Sequence, residues 1–165
     1  MADITISGEV IRYIQAVEDH VNKWTLRELQ RMEKLPEGKV RTQLHIIDCV
    51  EDGTDRLVFV VEKGHLGMAL GREANHLEKL EEMFKKEIKF VEFDEDKPTF
   101  VSNLFKPFKT EKVEVEQKRG GGPLVATVMI NEEDKGKAVG KKGRNVNVVR
   151  LLAKRHHAID EVKVL

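Results

Sequence analysis

The most informative segment of this chain is Gly136-Lys-Ala-Val-Gly-Lys-Lys-Gly-Arg-Asn-Val146. Two glycines, Gly140 and Gly143, bracket a pair of lysines, with strand-like sequence before the stretch and helix-like sequence after it. Because glycine has no side chain to block an approach, such a turn lets a phosphate come close to the backbone. The amides that open the following helix point toward the anion, and the helix dipole adds to the attraction. The stretch therefore predicts a turn that grips a sugar-phosphate backbone.

A second copy of this pattern lies 69 residues upstream, in Gly67-Met-Ala-Leu-Gly-Arg-Glu-Ala-Asn-His-Leu77. The two stretches align without a gap, and Gly71 falls on Gly140. A β-rich run precedes each copy, and a helical run followed by a short apolar strand comes after it. Self-similarity at a fixed spacing indicates an internal duplication. We therefore expect two small domains of one fold.

Composition limits the class of protein. The chain has 165 residues, 40% of them apolar and 35% charged, which suits one or two well-solvated domains. No apolar run approaches the roughly 20 residues of a membrane span, and the N-terminus lacks the pattern of a signal peptide. The single cysteine, Cys49, rules out an internal disulfide and fits a reducing compartment. We expect a cytoplasmic protein without a membrane partner.

The charge is unevenly distributed, although the net charge is zero. Residues 1–94 carry a net charge of −5 and residues 95–165 a net charge of +5. The window 135–155 contains no acid and eight basic residues: Lys135, Lys137, Lys141, Lys142, Arg144, Arg150, Lys154 and Arg155. A basic face centred on a glycine-flanked loop is the footprint of a polyanionic partner. A solvated helix face is the alternative explanation of such a run.

The first unit is predicted to begin with two helices over residues 7–34. Ser7 and Thr25 are the candidate caps, and Trp24 lies at the junction as a staple between the helices. A hairpin over residues 43–61 follows, then the loop of the first copy, a helix and a strand. In the second unit Asp134 is the candidate cap of the helix that precedes the loop. Both units read helix–strand–strand–helix–loop–helix–strand.

The boundary between the units is predicted at Asp94-Glu-Asp-Lys-Pro98, which is acidic and contains a proline. It divides the chain into residues 1–94, with the N-terminal helices, and residues 95–165.

This element order, with the loop Gly140-Lys-Lys-Gly143 between the last two helices, resembles the KH domain. The loop matches that family's G-x-x-G motif, including the flanking aliphatic residues Val139 and Val146. A helix placed before the hairpin is similar to the type II arrangement. The resemblance implies an α+β fold of two tandem type II KH domains, each a small three-stranded sheet covered by helices on one face. The first copy departs from the motif, because Ala74 replaces the last glycine and Glu73 precedes it.

Over roughly residues 40–165 the chain also resembles the archaeal NusA-like proteins. The resemblance is carried by Asp48-Cys49, the run from Val60 to Gly64, Asn103-Leu-Phe105 and the stretch from Gly136 to Val149. It implies single-stranded RNA binding in transcription termination or antitermination. RNA polymerase or ribosomal proteins are the protein partners that it implies.

The resemblance implies a clamp on about four nucleotides of RNA backbone. Gly140 and Gly143 permit the close approach, and Lys141 and Lys142 neutralise phosphates. The other expected RNA-binding residues are Lys135, Gly136, Lys137, Arg144 and Asn145. Gly71 and Arg72 are weaker candidates in the first unit, where Glu73 repels a phosphate and the methyl group of Ala74 intrudes on the approach.

Two other classes of function are weighed against RNA binding. An enzyme is disfavoured, because none of the six histidines has a metal-ligand spacing with carboxylates or Cys49 and no nucleophile motif appears. We expect no cofactor and no bound metal. A protein-interaction module remains the alternative, since the acidic first unit suits docking on a protein partner.

Overall fold

The structure, a computed structural model, describes residues 8–31 and 43–165. The described residues up to Glu92 form one compact unit and Phe93–Leu165 form another. Within the described ranges, none of the helices combines the length and the apolar character that crossing a membrane requires.

The first unit is a three-stranded sheet with helices. Its strands lie in the order β1-β2-β3, with β1 and β2 antiparallel and β2 and β3 parallel. A single 3₁₀ turn, Arg72–Ala74, separates its last two helices. The elements are α1 (Gly8–Arg31), β1 (Ile46–Asp52), β2 (Arg56–Val61), α2 (Leu66–Leu70), α3 (Asn75–Phe84) and β3 (Glu87–Glu92).

The core of this unit follows the helical and strand periods of its sequence. Val17 and Val21, one turn apart on α1, are fully buried in one cluster with Phe59 of β2. Cys49 belongs to the same cluster, as a small buried residue.

The predicted break at Trp24 is wrong, because α1 runs without interruption from Gly8 to Arg31. Thr25 lies inside the helix, where its hydroxyl donates to the carbonyl oxygen of Val21 at 2.8 Å instead of capping a second helix. Trp24 packs edge-on against His76 of α3, with ring centroids 4.6 Å apart. The predicted cap at Ser7 and the predicted helix end at residue 34 lie outside the described residues.

The second unit repeats the order and pairing of the first. Its sheet has the order β4-β5-β6, with β4 and β5 antiparallel and β5 and β6 parallel. The two sheets with their helices confirm the predicted α+β class. The elements are α4 (Lys97–Phe105), β4 (Thr110–Gln117), β5 (Leu124–Ile130), α5 (Glu132–Val139), α6 (Arg144–His157) and β6 (Glu161–Val164).

The cap of α5 differs from the prediction. Asn131 precedes the helix, and its side-chain oxygen accepts from the backbone N–H of Glu133 at 3.4 Å. Asp134, the predicted cap, lies inside the first turn with Glu132 and Glu133. The helix begins three residues earlier than predicted because an asparagine ahead of these acids already supplies the capping oxygen.

Both parallel edge strands are contacted by a side chain from the preceding helix. In the first unit the carboxylate of Glu81 accepts from the backbone N–H of Ile88 at 3.2 Å. In the second unit the guanidinium of Arg150 donates to the carbonyl oxygen of Val162, at 3.4 Å from Nε and 3.3 Å from Nη2.

Candidate nucleic-acid interface

The loop between α5 and α6 is a tight turn with left-handed backbone. Gly140 has φ 81° and ψ 166°, Lys142 has φ 57° and ψ 28°, and Gly143 has φ 73° and ψ 15°. The N–H of Gly143 donates to the carbonyl oxygen of Gly140 at 3.1 Å, which closes the turn. The loop therefore leads from the end of one helix directly into the first turn of the next.

The two glycines serve different needs. A Cβ built on Gly140 would lie 2.8 Å from the backbone nitrogen of Asn145, closer than real Cβ atoms come. A Cβ on Gly143 would meet Val146 at an ordinary 3.6 Å, so only the positive φ favours glycine there. Close packing therefore requires Gly140, whereas backbone conformation favours Gly143.

Asn145 connects the two helices that flank the loop. Its side-chain amide is buried, and Nδ2 donates to the carbonyl oxygen of Ala138 at 2.6 Å. Ala138 lies in the last turn of α5 and Asn145 in the first turn of α6. An RNA contact of Asn145 stays a prediction, and the structure gives its amide nitrogen an internal role that holds the loop.

The loop lysines are its exposed cations. Lys141 and Lys142 are exposed, and neither has an ion-pair partner in the described ranges. The remaining predicted residues lie on the adjoining turns of α5 and α6: Gly136 and Lys137 exposed, Lys135 and Arg144 half-buried. The structure thus places all the predicted second-unit residues on the loop and the two helices that it joins.

The basic window is less uniform than the sequence indicates. Lys154 pairs with Asp160, and Arg150 contacts the backbone of β6. The acids of the first turn of α5 border the window on its N-terminal side. The unpaired positive charge therefore concentrates at the loop and falls off along α6.

The first-unit loop follows the same backbone path. Gly71 has φ 75° and ψ 175°, Glu73 has φ 54° and ψ 33°, and Ala74 has φ 58° and ψ 30°. Arg72 and Glu73 are exposed. The change from glycine to Ala74 has therefore left the turn intact, and the main chemical difference is Glu73 in the place of Lys142.

The support behind the first loop is aromatic. His76 takes the sequence position that Asn145 takes in the second unit, and it is 1% exposed. Its ring contacts Trp24 and lies 5.4 Å from the ring of His20. Burial lowers the pKa of both histidines, with smaller contributions from His20 to His76 and from Lys79 to both. Nδ1 of His76 and Nε2 of His20 are buried and find no hydrogen-bond partner among the described residues.

A further group of residues shares one face of α6, and the predicted basic window includes only two of them, Arg150 and Lys154. Asn147, Arg150, Leu151 and Lys154 are all exposed. Their spacing of three, four and seven residues puts them on one helix face, which could have been read from the sequence.

The residues that the structure describes hold no group of three His, Cys, Asp or Glu side chains arranged for a metal ion.

Comparisons with known proteins agree with this geometry. Residues 97–163 match the family described as the NusA-like second KH domain. A protein of Halobacterium salinarum is 33% identical over 129 residues, which cover 76% of this chain and 88% of that protein. A protein of Methanococcus vannielii is 31% identical over 124 residues, covering 75% and 70% respectively. Both are named probable transcription termination protein NusA.

A Methanocaldococcus jannaschii protein with the same name is 33% identical over 120 residues, and the alignment spans 64% of that protein's length. A solved structure, the crystal structure of APE1850, superposes with a TM-score of 0.68 at 27% identity. It covers 97% of this chain and 100% of that chain. With relatives about one-third identical over three quarters of its length and two three-stranded KH units, the chain belongs to the NusA-like family of tandem type II KH-domain proteins.

Proposed function

We propose that this chain binds single-stranded RNA through the loop Gly140–Gly143 and acts as a NusA-like factor in transcription termination or antitermination. One observation carries the proposal: the left-handed turn between α5 and α6 presents two exposed lysines beside a helix start. KH loops of this type clamp about four nucleotides of RNA backbone.

Each part of the loop has a physical task. Gly140 lets the chain pass close to the start of α6, and Gly143 adopts the positive φ that the turn requires. Lys141 and Lys142 supply mobile positive charges for phosphates. Lys137, in the last turn of α5, and Arg144, the first residue of α6, extend the positive surface on either side of the loop.

The test is single-stranded RNA binding by fluorescence anisotropy across a salt series, for the native chain and for Lys141→Asp/Lys142→Asp. We expect affinity to fall at least about tenfold and the salt slope to become shallower, since each neutralised phosphate contributes about −0.7 to the slope. Lys106→Asp/Lys109→Asp is the matched control, because it makes the same charge change at exposed lysines of the same unit. A folded loop variant that binds as tightly as the native chain would contradict the proposal.

A second candidate function concerns the first unit. Its loop keeps the clamp backbone but carries Glu73, and Glu81 stands on the following helix. An intact scaffold with acidic side chains suits a basic protein surface better than a phosphate. We propose docking on RNA polymerase or a ribosomal protein as its role, to be tested by pull-down of the purified partner with native chain and Glu73→Lys. Undiminished capture by the variant would argue against it.

A further inference from the structure

The face of α6 defined by Asn147, Arg150, Leu151 and Lys154 continues from the loop toward the open edge of β6. Arg150 lies seven residues after Gly143, a rise of about 10 Å along the helix axis. That distance is within the reach of an RNA strand of about four nucleotides whose backbone is held at the loop. The exposed face is therefore placed where bases next to the clamped phosphates would lie.

Arg150 is held at this edge in a defined position. Its two bonds to the carbonyl oxygen of Val162, at 3.4 and 3.3 Å, are longer than a typical N–H···O hydrogen bond and therefore weak. The acceptor is neutral, so the positive charge is not cancelled. A guanidinium has five N–H donors, and a single carbonyl oxygen leaves donors of the planar fork available.

The chemistry around Arg150 fits a nucleobase better than a phosphate. Leu151 beside it is 41% exposed and offers an aliphatic surface against a base plane. β6 is an edge strand, and such an edge presents backbone donors and acceptors together. A phosphate has acceptors only, whereas the edge of a base has both kinds of group.

Arginine most often recognises guanine, through paired hydrogen bonds to O6 and N7. We propose that Arg150 contacts a guanine base of the RNA strand held at Gly140–Gly143, which makes it a specificity-determining residue. This inference rests on the proposed RNA clamp and adds the base that the second unit prefers.

The first unit provides an internal contrast. Glu81 takes the sequence position of Arg150, with the same offset that relates the two loops, and its carboxylate accepts from the N–H of Ile88. A carboxylate cannot donate to O6 and N7 of guanine. Guanine preference therefore comes from the second unit, and the first unit has no counterpart.

The experiment uses the full chain and short uridine-rich RNAs that carry one guanine, moved through each position in turn. At the best position guanine is replaced by adenine or by 7-deazaguanine, which lacks the N7 acceptor. We expect the native chain to lose about tenfold in affinity, within the range known for a good bidentate pair. Arg150→Met removes every donor that could reach O6 and N7, so we expect it to bind all three RNAs equally well.

Lys154→Gln is the control on the same helix face, and it should retain the guanine preference. Binding of uridine-rich RNA by Arg150→Met should stay within about threefold of that by Lys154→Gln, which loses the same charge, and circular dichroism checks that the variant is folded. A native chain that binds RNA without guanine preference, or an Arg150→Met variant that keeps the preference, would overturn the inference and leave the clamp standing. If neither the native chain nor any variant binds RNA, the proposed RNA clamp itself would be overturned.

Discussion

The side-chain Nδ2 of Asn145 donates to the carbonyl oxygen of Ala138 at 2.6 Å, which ties the start of α6 to the end of α5 behind the loop. The loop geometry thus depends on one buried amide as well as on its glycines. This relationship gives the first prediction.

Asn145→Ala should destabilise the chain by about 1–3 kcal/mol, because it removes a buried donor and leaves the Ala138 carbonyl without it. RNA affinity should fall as well, since the loop loses its fixed position. Urea unfolding and anisotropy measure the two effects. The control is Asn147→Ala, an exposed residue of the same helix that should change stability by less than about 0.5 kcal/mol. If the two substitutions changed stability and RNA affinity equally, the hydrogen bond from Asn145 to Ala138 would not be what holds the loop.

Gly140→Ala should be clearly more destabilising than Gly143→Ala. The added methyl group at position 140 meets the backbone of Asn145 at 2.8 Å, whereas at position 143 it finds ordinary contact distances. Left-handed backbone alone costs an alanine about 1–2 kcal/mol. We therefore expect Gly143→Ala to lower the free energy of unfolding by no more than this amount. Thermal unfolding of both variants checks the order.

The natural alanine of the first loop supplies the reverse control for this pair. Ala74→Gly relieves the strain of a left-handed alanine, but it also gives the unfolded chain more conformational freedom, which costs about 0.4–1 kcal/mol. The net gain in stability should therefore be small. A large loss of stability in this variant would mean that the methyl group makes contacts beyond those expected here.

Stability should fall with acid partly through His76. Its pKa is lowered mainly by burial, so the unfolded chain, with an ordinary pKa near 6.5, binds the proton more readily. By linkage, this contribution is complete above pH 6.5 and is lost as the pH falls from there toward the folded-state value. His76→Phe keeps a ring against Trp24 and should flatten the change in unfolding free energy between pH 7.5 and 5.5. A variant with His45→Gln, an exposed histidine, is the control.

Lys89 should make stability depend on pH in the alkaline range. Burial, with a smaller contribution from Arg56, lowers its pKa from 10.5 to about 8. The unfolded chain therefore binds more protons between these values, and the contribution of Lys89 to stability rises with pH from about 8 to 10.5. Lys89→Met should remove this rise from urea-unfolding curves at pH 7.5 and 10. The exposed Lys79→Met is the comparison, and an identical pH profile in native chain and Lys89→Met would contradict the shift.

Glu73→Lys should improve RNA binding by the first unit. The loop already has the backbone path of the second loop, so the substitution replaces a repelling charge with an attracting one at an exposed position. The clearest background is Lys141→Asp/Lys142→Asp, where we expect about a tenfold gain at low salt that disappears as salt is raised. Glu78→Lys, on the adjoining helix, makes the same charge change outside the loop. Equal gains in both variants would show that only net charge matters.

The duplication allowed much of the fold and loop to be predicted, because glycine and aliphatic positions repeat at one spacing and local periodicity defines the strands. The errors occurred where two local signals competed. Thr25 has the sequence of a cap but lies inside α1, where packing of Trp24 of the same helix against His76 of α3 overrides the local preference. Asn131 and Asp134 are both good caps, and the sequence does not decide between them.

Contacts between distant positions could not be predicted from the pattern. The bond from Arg150 to Val162 depends on which residue of β6 turns its carbonyl toward the helix, which is a matter of strand register. The burial of His76 likewise depends on its contacts with Trp24 and His20, which lie far from it in the sequence. In the sequence, Arg150 is indistinguishable from the other basic residues around it, and His76 from the other histidines.

Glu81 and Arg150, which each bond one backbone group on the edges of β3 and β6, also affect the tendency of the protein to aggregate at high concentration. An uncovered strand edge can pair with the same edge of another molecule and extend into aggregates. Here a carboxylate occupies a donor on one edge and a guanidinium occupies an acceptor on the other. An incoming strand would have to displace a charged group at each of these positions, so the edges of β3 and β6 resist pairing with another molecule there.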